Sequence, residues 1–357
     1  MAQNSKYTLP LPVEFPAAPR LVREELLKDL GVGPQDFKAM AQAVMALSDF
    51  YVKHPEKSSP WDETWAQIAY AAYFLPLNWW RLMGVISRGQ QLNFFDGFQH
   101  YVDFGSGLGS LGLAFDEGNI KFSSGVCIER GREAVYMHRR LAKESLTPLE
   151  WETKKPALPL KAKTLAVFSY SLTELAKLPD WALTAEGLMI VEPSSRDDAR
   201  RLQRLRDELI TAGWYVWGPC THAAPCPLLA AGERDWCHDR IPWQQPDWLR
   251  QIESHMPIKN GTLPCSWLML RKDRPPVLPE SAARFTGDLQ EFKGYAKQLI
   301  CRGERREFAA WQKKDFKKSY PHFGRGDLVT LRSELLVKGN EIRAANCEDI
   351  DGVSFGA

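Results

Sequence analysis

Apolar positions recur at helical spacing through the first part of the chain. Val22, Leu26, Leu27 and Leu30 form one stripe, and Phe37, Met40, Val44 and Leu47 form a second. The pattern predicts helices from about Ala17 to Trp80, punctuated by Pro60 and Pro76. From His100 the period changes. HYVDFG, GVCIE, TLAVFSYSL, GLMIVEP, WYVWGPC and SWLMLRK read as six strands. The third is expected to lead into a helix through Leu175 and Leu178, and the fourth into the helical RDDARRLQRLRDELITAG. Strand–helix alternation of this kind predicts an α/β fold with a parallel sheet.

The stretch from Cys220 to Pro264 breaks that alternation. It is rich in Pro, Trp, His and Cys, and loops of such length are usually functional or hold small structure of their own. Beyond PPVLPE, short alternations in RFTG, YAKQLIC and EFAAWQ predict a small β-rich appendage. The expected organisation is a helical region over 1–95, an α/β domain over 96–274 with a Cys-rich insert at 220–264, and the appendage over 275–357.

Composition changes this picture little: 44% hydrophobic and 25% charged residues suit a globular protein. MAQNSKYTLPLPVEF lacks the apolar core of a signal peptide, and no stretch approaches the ~20 apolar residues that cross a bilayer. A cytoplasmic protein without a membrane partner is expected, its seven cysteines reduced. The net charge of +2 matters less than its distribution. One basic stripe runs through Arg130, Arg132, His138, Arg139, Arg140 and Lys143. Another runs through Arg302, Arg305, Arg306, Lys313, Lys314, Lys317 and Lys318. Each is either a phosphate-neutralising surface or a plain solvated face.

Two constellations carry chemistry. Asp103-Phe-Gly105-Ser-Gly107-Leu-Gly109 follows a predicted strand and precedes a helix. Glycines there let the backbone approach a ligand, and the helix start offers free N–H groups. Glu129 ends the next strand, where a carboxylate can accept both ribose hydroxyls of an adenosine. The loop resembles the first motif of class I S-adenosylmethionine methyltransferases. A class I methyltransferase-like, Rossmann-like sheet with an N-terminal helical cap is therefore expected. Asp103, Gly105, Gly107, Gly109, Glu129 and Ser169 are its candidate cofactor residues. The segment after the third strand, Phe168 to Glu174, holds hydroxyls and one carboxylate, but neither an Asn/Asp-Pro-Pro-aromatic tetrad nor a nucleophilic thiol. Glu174 reads as a helix-start residue, and no catalytic residue is assigned.

The second constellation is Cys220, Cys226 and Cys237, flanked by His222 and His238. Three thiols in one Pro-punctuated segment suit a soft metal better than scattered core packing. The spacing leaves the fourth ligand open among Cys301, Cys265, His222 and His238, and antiparallel pairing of the last two strands favours Cys265. Short zinc knuckles are absent and the wide gaps suit an iron–sulfur cluster, with zinc as the alternative.

Together these features resemble a methyltransferase-like ribosome-assembly family of bacteria and mitochondria. The resemblance rests on Asp103–Gly109, Ser169–Leu175, Val191–Pro193, Pro219–Pro227, Asp235–His238 and Gly294–Cys301. It implies a [4Fe–4S] cluster on Cys220, Cys226, Cys237 and Cys301, tying the methyltransferase-like domain to the appendage. It also implies S-adenosylmethionine as a ligand, and the small ribosomal subunit and its rRNA, not DNA, as partners. The function implied is small-subunit assembly or association. The alternatives are an active rRNA methyltransferase and a small-molecule methyltransferase with a zinc-stabilised insert. Asp239 departs from the family pattern, which tends to an aromatic after Trp-Cys-His.

Overall fold

The computed structural model describes residues 11–54, 57–316, 319–332 and 334–352. Four helices open the chain: α1 Ala17–Asp29, α2 Phe37–Lys53, α3 Thr64–Ala69 and α4 Leu75–Gln91. Pro76 does not punctuate this region. A π turn at Tyr70–Phe74 joins α3 to α4, and Pro76 lies in the first turn of α4. There its missing N–H and its ring are tolerated, because the wider turn before it absorbs the conflict.

The first sheet contains β1 His100–Phe104, β2 Ser124–Ile128, β3 Leu149–Glu152, β4 Thr164–Ser169, β5 Gly187–Glu192, β6 Tyr215–Gly218, β7 Asp239–Ile241 and β8 Leu263–Arg271. Its order is β3-β2-β1-β4-β5-β8-β6, with β7 on the end of β8. β1 to β5 pair in parallel, whereas β8 runs antiparallel to both β5 and β6. This is the class I methyltransferase-like arrangement.

Central strands read as unbroken apolar runs because both faces are covered. Leu165, Val167, Met189 and Val191 face a core shared with the N-terminal helices and with α5 Ser110–Glu117 and α6 Arg132–Leu141. Ala166, Phe168, Leu188 and Ile190 face the other side, against Leu202 and Leu209 of α7 Arg196–Thr211. Ser195 caps α7, its hydroxyl accepting from the Asp198 N–H, with Asp197 and Asp198 in the first turn. The helix expected through Leu175 and Leu178 is absent. Two 3₁₀ turns, Leu172–Glu174 and Asp180–Thr184, lie there instead, with Pro179 preventing a longer run.

Short helices α8 Pro227–Ala230 and α9 Asp247–Ser254 lie in the Cys-rich segment. The remaining strands are β9 Ala282–Phe285, β10 Gln290–Glu291, β11 Tyr295–Cys301, β12 Glu307–Gln312, β13 Leu328–Leu331, β14 Leu336–Lys338, β15 Glu341–Ala344 and β16 Ile350–Gly352. They form a second sheet in the order β14-β15-β12-β11-β9-β13-β16, with β10 beside β11. Its core stacks Phe285 on Phe323, ring centroids 4.3 Å apart, with Trp311 alongside.

Candidate functional site

The glycine loop leaves β1 in a conformation that side chains resist. Gly105, Gly107 and Gly109 have φ of 68°, 50° and 84°, in the left-handed region that glycine alone enters without strain. A Cβ on Gly105 would meet Ser171 Cβ at 2.6 Å, and one on Gly109 would meet His138 Nε2 at 2.1 Å. Glu129 holds the loop. One carboxylate oxygen accepts from the Gly107 N–H at 3.0 Å and the other from the Gly131 N–H at 2.8 Å.

Asp103 lies beneath, fully buried, and burial together with the Glu129 charge pushes its carboxyl up to about 7. Asp103 Oδ1, Ser106 Oγ and Ser171 Oγ are buried with no hydrogen-bond partner among the described residues. They stand at the carboxyl ends of β1 and β4, where α/β sheets receive ligands. Ser169 ends β4 half-buried, and the next residue, Tyr170, has a φ of 57°. A non-glycine residue held in that region marks a constrained site. A donor set of this kind fits the polar groups of an adenosine-bearing cofactor.

The helical cap covers the cleft. A Cβ on Gly131 would lie 2.2 Å from Trp61 Cδ1, and one on Gly107 would lie 3.7 Å from Trp61 Cζ2. The indole therefore extends from one Glu129-bound glycine to the other. Tyr70 packs on it with ring centroids 4.2 Å apart, and Tyr51, Ser59 and Tyr70 share a hydroxyl triangle of 2.6–2.9 Å. No sequence pattern singles out Trp61.

The second site lies between the two sheets. Cys220 follows β6, Cys226 precedes α8, Cys237 precedes β7 and Cys301 ends β11. All four line one cavity of about 40 Å³, with Arg206, His222 and Arg284 in its walls. Arg284 donates to Cys237 Sγ at 2.9 Å, and His222 Nε2 lies 3.3 Å from Cys301 Sγ. Burial raises the Cys226 thiol to about 12 and pushes Cys237 and Cys301 up, Cys301 further by its three thiol neighbours. These thiols are neutral until something replaces their protons. Burial, then Arg206, lowers His222 to about 4, so its ring is neutral.

Cys265 and His238 are engaged away from the four thiols. Cys265 is fully buried within β8, opposite Asp239, and does not line the cavity. His238 lines the wall, but its ring stacks on Trp236 and its Nδ1 lies 3.3 Å from an Arg325 nitrogen. Among the described residues no group of three or more His, Cys, Asp or Glu is placed to hold a metal ion.

The family model described as the mitochondrial small ribosomal subunit Rsm22 matches residues 65–267, more than half of the chain. This chain belongs to the Rsm22 family. The Rsm22 match takes in the glycine loop, Glu129 and three of the four cavity thiols, and ends before Cys301. A comparison with curated proteins finds no match. Solved structures with a partial likeness include TrmK of M. capricolum in complex with S-adenosyl-homocysteine, 8% identical, TM-score 0.31, covering 54% of this chain and 71% of that one. The 16S rRNA methylase RmtB is 12% identical, TM-score 0.33, with 66% and 74% covered. The YcgJ protein of Bacillus subtilis is 14% identical, TM-score 0.31, with 53% and 98% covered. At these identities and scores the likenesses carry no functional argument.

The structure sorts the residues of the two basic stripes of this Rsm22 family member. His138 is buried under Gly109, and Arg140 pairs with Glu25 and Asp29 of α1. Arg139 lies over Trp151, 4.9 Å from the ring centroid. Arg140 thus docks the cap, while Arg130, Arg132, Arg139 and Lys143 stay exposed. In the second, Arg302 pairs with Glu307 and Arg306 with Asp235. Arg305, Lys313 and Lys314 are exposed, while Lys317 and Lys318 lie outside the described residues.

Proposed function

We propose that this chain is a small-ribosomal-subunit assembly or association factor that binds rRNA, with a structural [4Fe–4S] cluster and S-adenosylmethionine as ligands. The observation that carries the reading is the Rsm22 family match together with four thiols on one cavity between two sheets. Cys220, Cys226, Cys237 and Cys301 would hold the cluster, and its iron would supply bonds joining the methyltransferase-like sheet to the C-terminal sheet. Arg206 and Arg284 place positive charge beside thiolates. Asp103, Gly105, Gly107, Gly109, Glu129 and Ser169 would hold the cofactor, whose sulfonium supplies a transferable methyl group when bound.

The described residues contain no helix long and apolar enough to cross a membrane, and we place the protein in the cytoplasm. Co-sedimentation of anaerobically purified protein with small subunits tests the reading, with iron and zinc analysis alongside. Binding to the subunit and broad absorbance near ~400 nm are expected. Colourless protein with stoichiometric zinc defeats the cluster. Absence from the subunit fraction defeats the function.

A second reading, an active rRNA methyltransferase, is favoured by one observation: the unpartnered Ser106 and Ser171 hydroxyls beside the constrained Tyr170. Transfer of labelled methyl from S-adenosylmethionine to rRNA separates it from the first.

A further inference from the structure

The hairpin joining β10 to β11 carries an aromatic pair that serves no core. Phe292 stacks on Tyr295 with ring centroids 4.7 Å apart and planes 12° from parallel. Phe292 is 45% exposed, although burying it would stabilise the fold by about 2 kcal/mol. The Lys297 ammonium lies 5.6 Å from the Phe292 ring centroid and 4.5 Å from that of Phe308. The Lys313 N–H donates to the Gly294 carbonyl at 3.0 Å, which holds the turn bearing Lys313 and Lys314 against the hairpin tip. Lys293, Lys313 and Lys314 are exposed there beside two acids, Glu291 and Asp315. Further along the same sheet face, Phe308 is covered by Leu228 of the Cys-rich segment. The hairpin end stays open.

Stacked aromatic rings among lysines that outnumber the neighbouring acids match the requirements of an unpaired polynucleotide, whose bases offer flat faces and whose backbone offers regular negative charge. A duplex keeps its bases stacked internally and has no use for the rings. An apolar peptide has no use for the lysines. We propose that Phe292 and Tyr295 form a stacking platform for unpaired bases of a single-stranded RNA segment, with its phosphates on Lys293, Lys297, Lys313 and Lys314. The inference rests on the reading that this chain binds RNA, and assigns the kind of RNA and the place.

The test uses the full cluster-loaded chain and fluorescence anisotropy with three labelled probes: a ten-nucleotide oligoadenylate, the same backbone with abasic sugars, and a duplex of equal length. The oligoadenylate binds tightest. Phe292→Ala weakens it between about 5- and 150-fold, the range for loss of one stacked base, and leaves the salt slope unchanged. Phe292→Trp restores the affinity, and the exposed site keeps the fold intact. The Lys313→Ala, Lys314→Ala double change instead lowers the log–log salt slope by about 1.4. Equal binding of abasic and base-bearing strands, or an unaltered affinity in Phe292→Ala, overturns the platform while sparing RNA binding. Failure of the unaltered protein to bind any of the three probes or rRNA overturns both.

Discussion

Replacing Asp239 by alanine attacks the polar bond between the two sheets. Asp239 ion-pairs with Arg284 of β9, both side chains at most 5% exposed, and accepts from Trp267 Nε1 at 2.7 Å. Gly326, with a φ of 100°, packs so closely that a Cβ there would meet the Asp239 carboxylate at 2.5 Å, leaving little room for water. Removing one member of a buried pair strands the other charge, at a cost of about 3–5 kcal/mol. Unfolding entropy of about 2.1 cal/mol/K per residue over 357 residues gives roughly 0.75 kcal/mol per degree. The expected fall in Tm is therefore about 4–7 °C, read by circular dichroism at pH 7. The double change Asp239→Leu, Arg284→Met removes both charges and is expected to cost less than either single change. A single change that moves Tm by under a degree, or a double change as costly as both singles together, refutes the reasoning.

Asp103→Asn should alter the pH dependence of stability. The native carboxyl titrates near 7 and the unfolded one near 3.8, so the native state holds a proton that the unfolded state has lost, and stability falls as pH rises through that window. The variant should match the parent at pH 3.5 and exceed it at pH 8, by on the order of 4 kcal/mol; equal denaturant midpoints at pH 8 would contradict the burial argument. Trp61→Ala should cost about 3–5 kcal/mol yet tighten S-adenosyl-homocysteine binding in calorimetry, since the cleft loses its cover. Weaker binding would make the indole a wall of the site. Cys301→Ser should abolish cluster absorbance and loosen the C-terminal sheet to proteolysis, whereas Cys265→Ser should do neither; the reverse pattern sinks the ligand assignment.

Elements whose pattern is local were legible in the sequence. The buried strands β4 and β5 read as apolar runs, α7 as a helical stretch after the fourth predicted strand, and the glycine loop by its spacing. The strand β3 went unseen because LEWE is a half-exposed edge strand of four residues, with little burial to print on its composition. Charges misled for a different reason. Arg140 and His138 look like members of a basic face until the fold brings Glu25, Asp29 and Gly109 against them. Pairing is a tertiary property that residue type does not carry. The same holds at the thiol cavity: Arg206 and Arg284 belong to a helix and a strand outside the cysteine-bearing segments, and only the fold turns them toward the sulfurs. The departure at Asp239, an acid where an aromatic is usual, was visible, but its partner Arg284 was not.

The thiol cavity also imposes an order on the birth of the molecule. Its walls meet across a long stretch of chain: the Thr221 hydroxyl faces the Cys301 carbonyl at 3.5 Å, with 80 residues of separation between them. A nascent chain emerges amino end first, so the entire first sheet, through β8, leaves the ribosome before β11 does. Through that interval Cys220, Cys226 and Cys237 stand beside an open side that no sulfur yet closes. The last thiol arrives only with the second sheet, whose strands β12 to β16 must still be made. Completion of the cavity thus reports that the two sheets have been brought together.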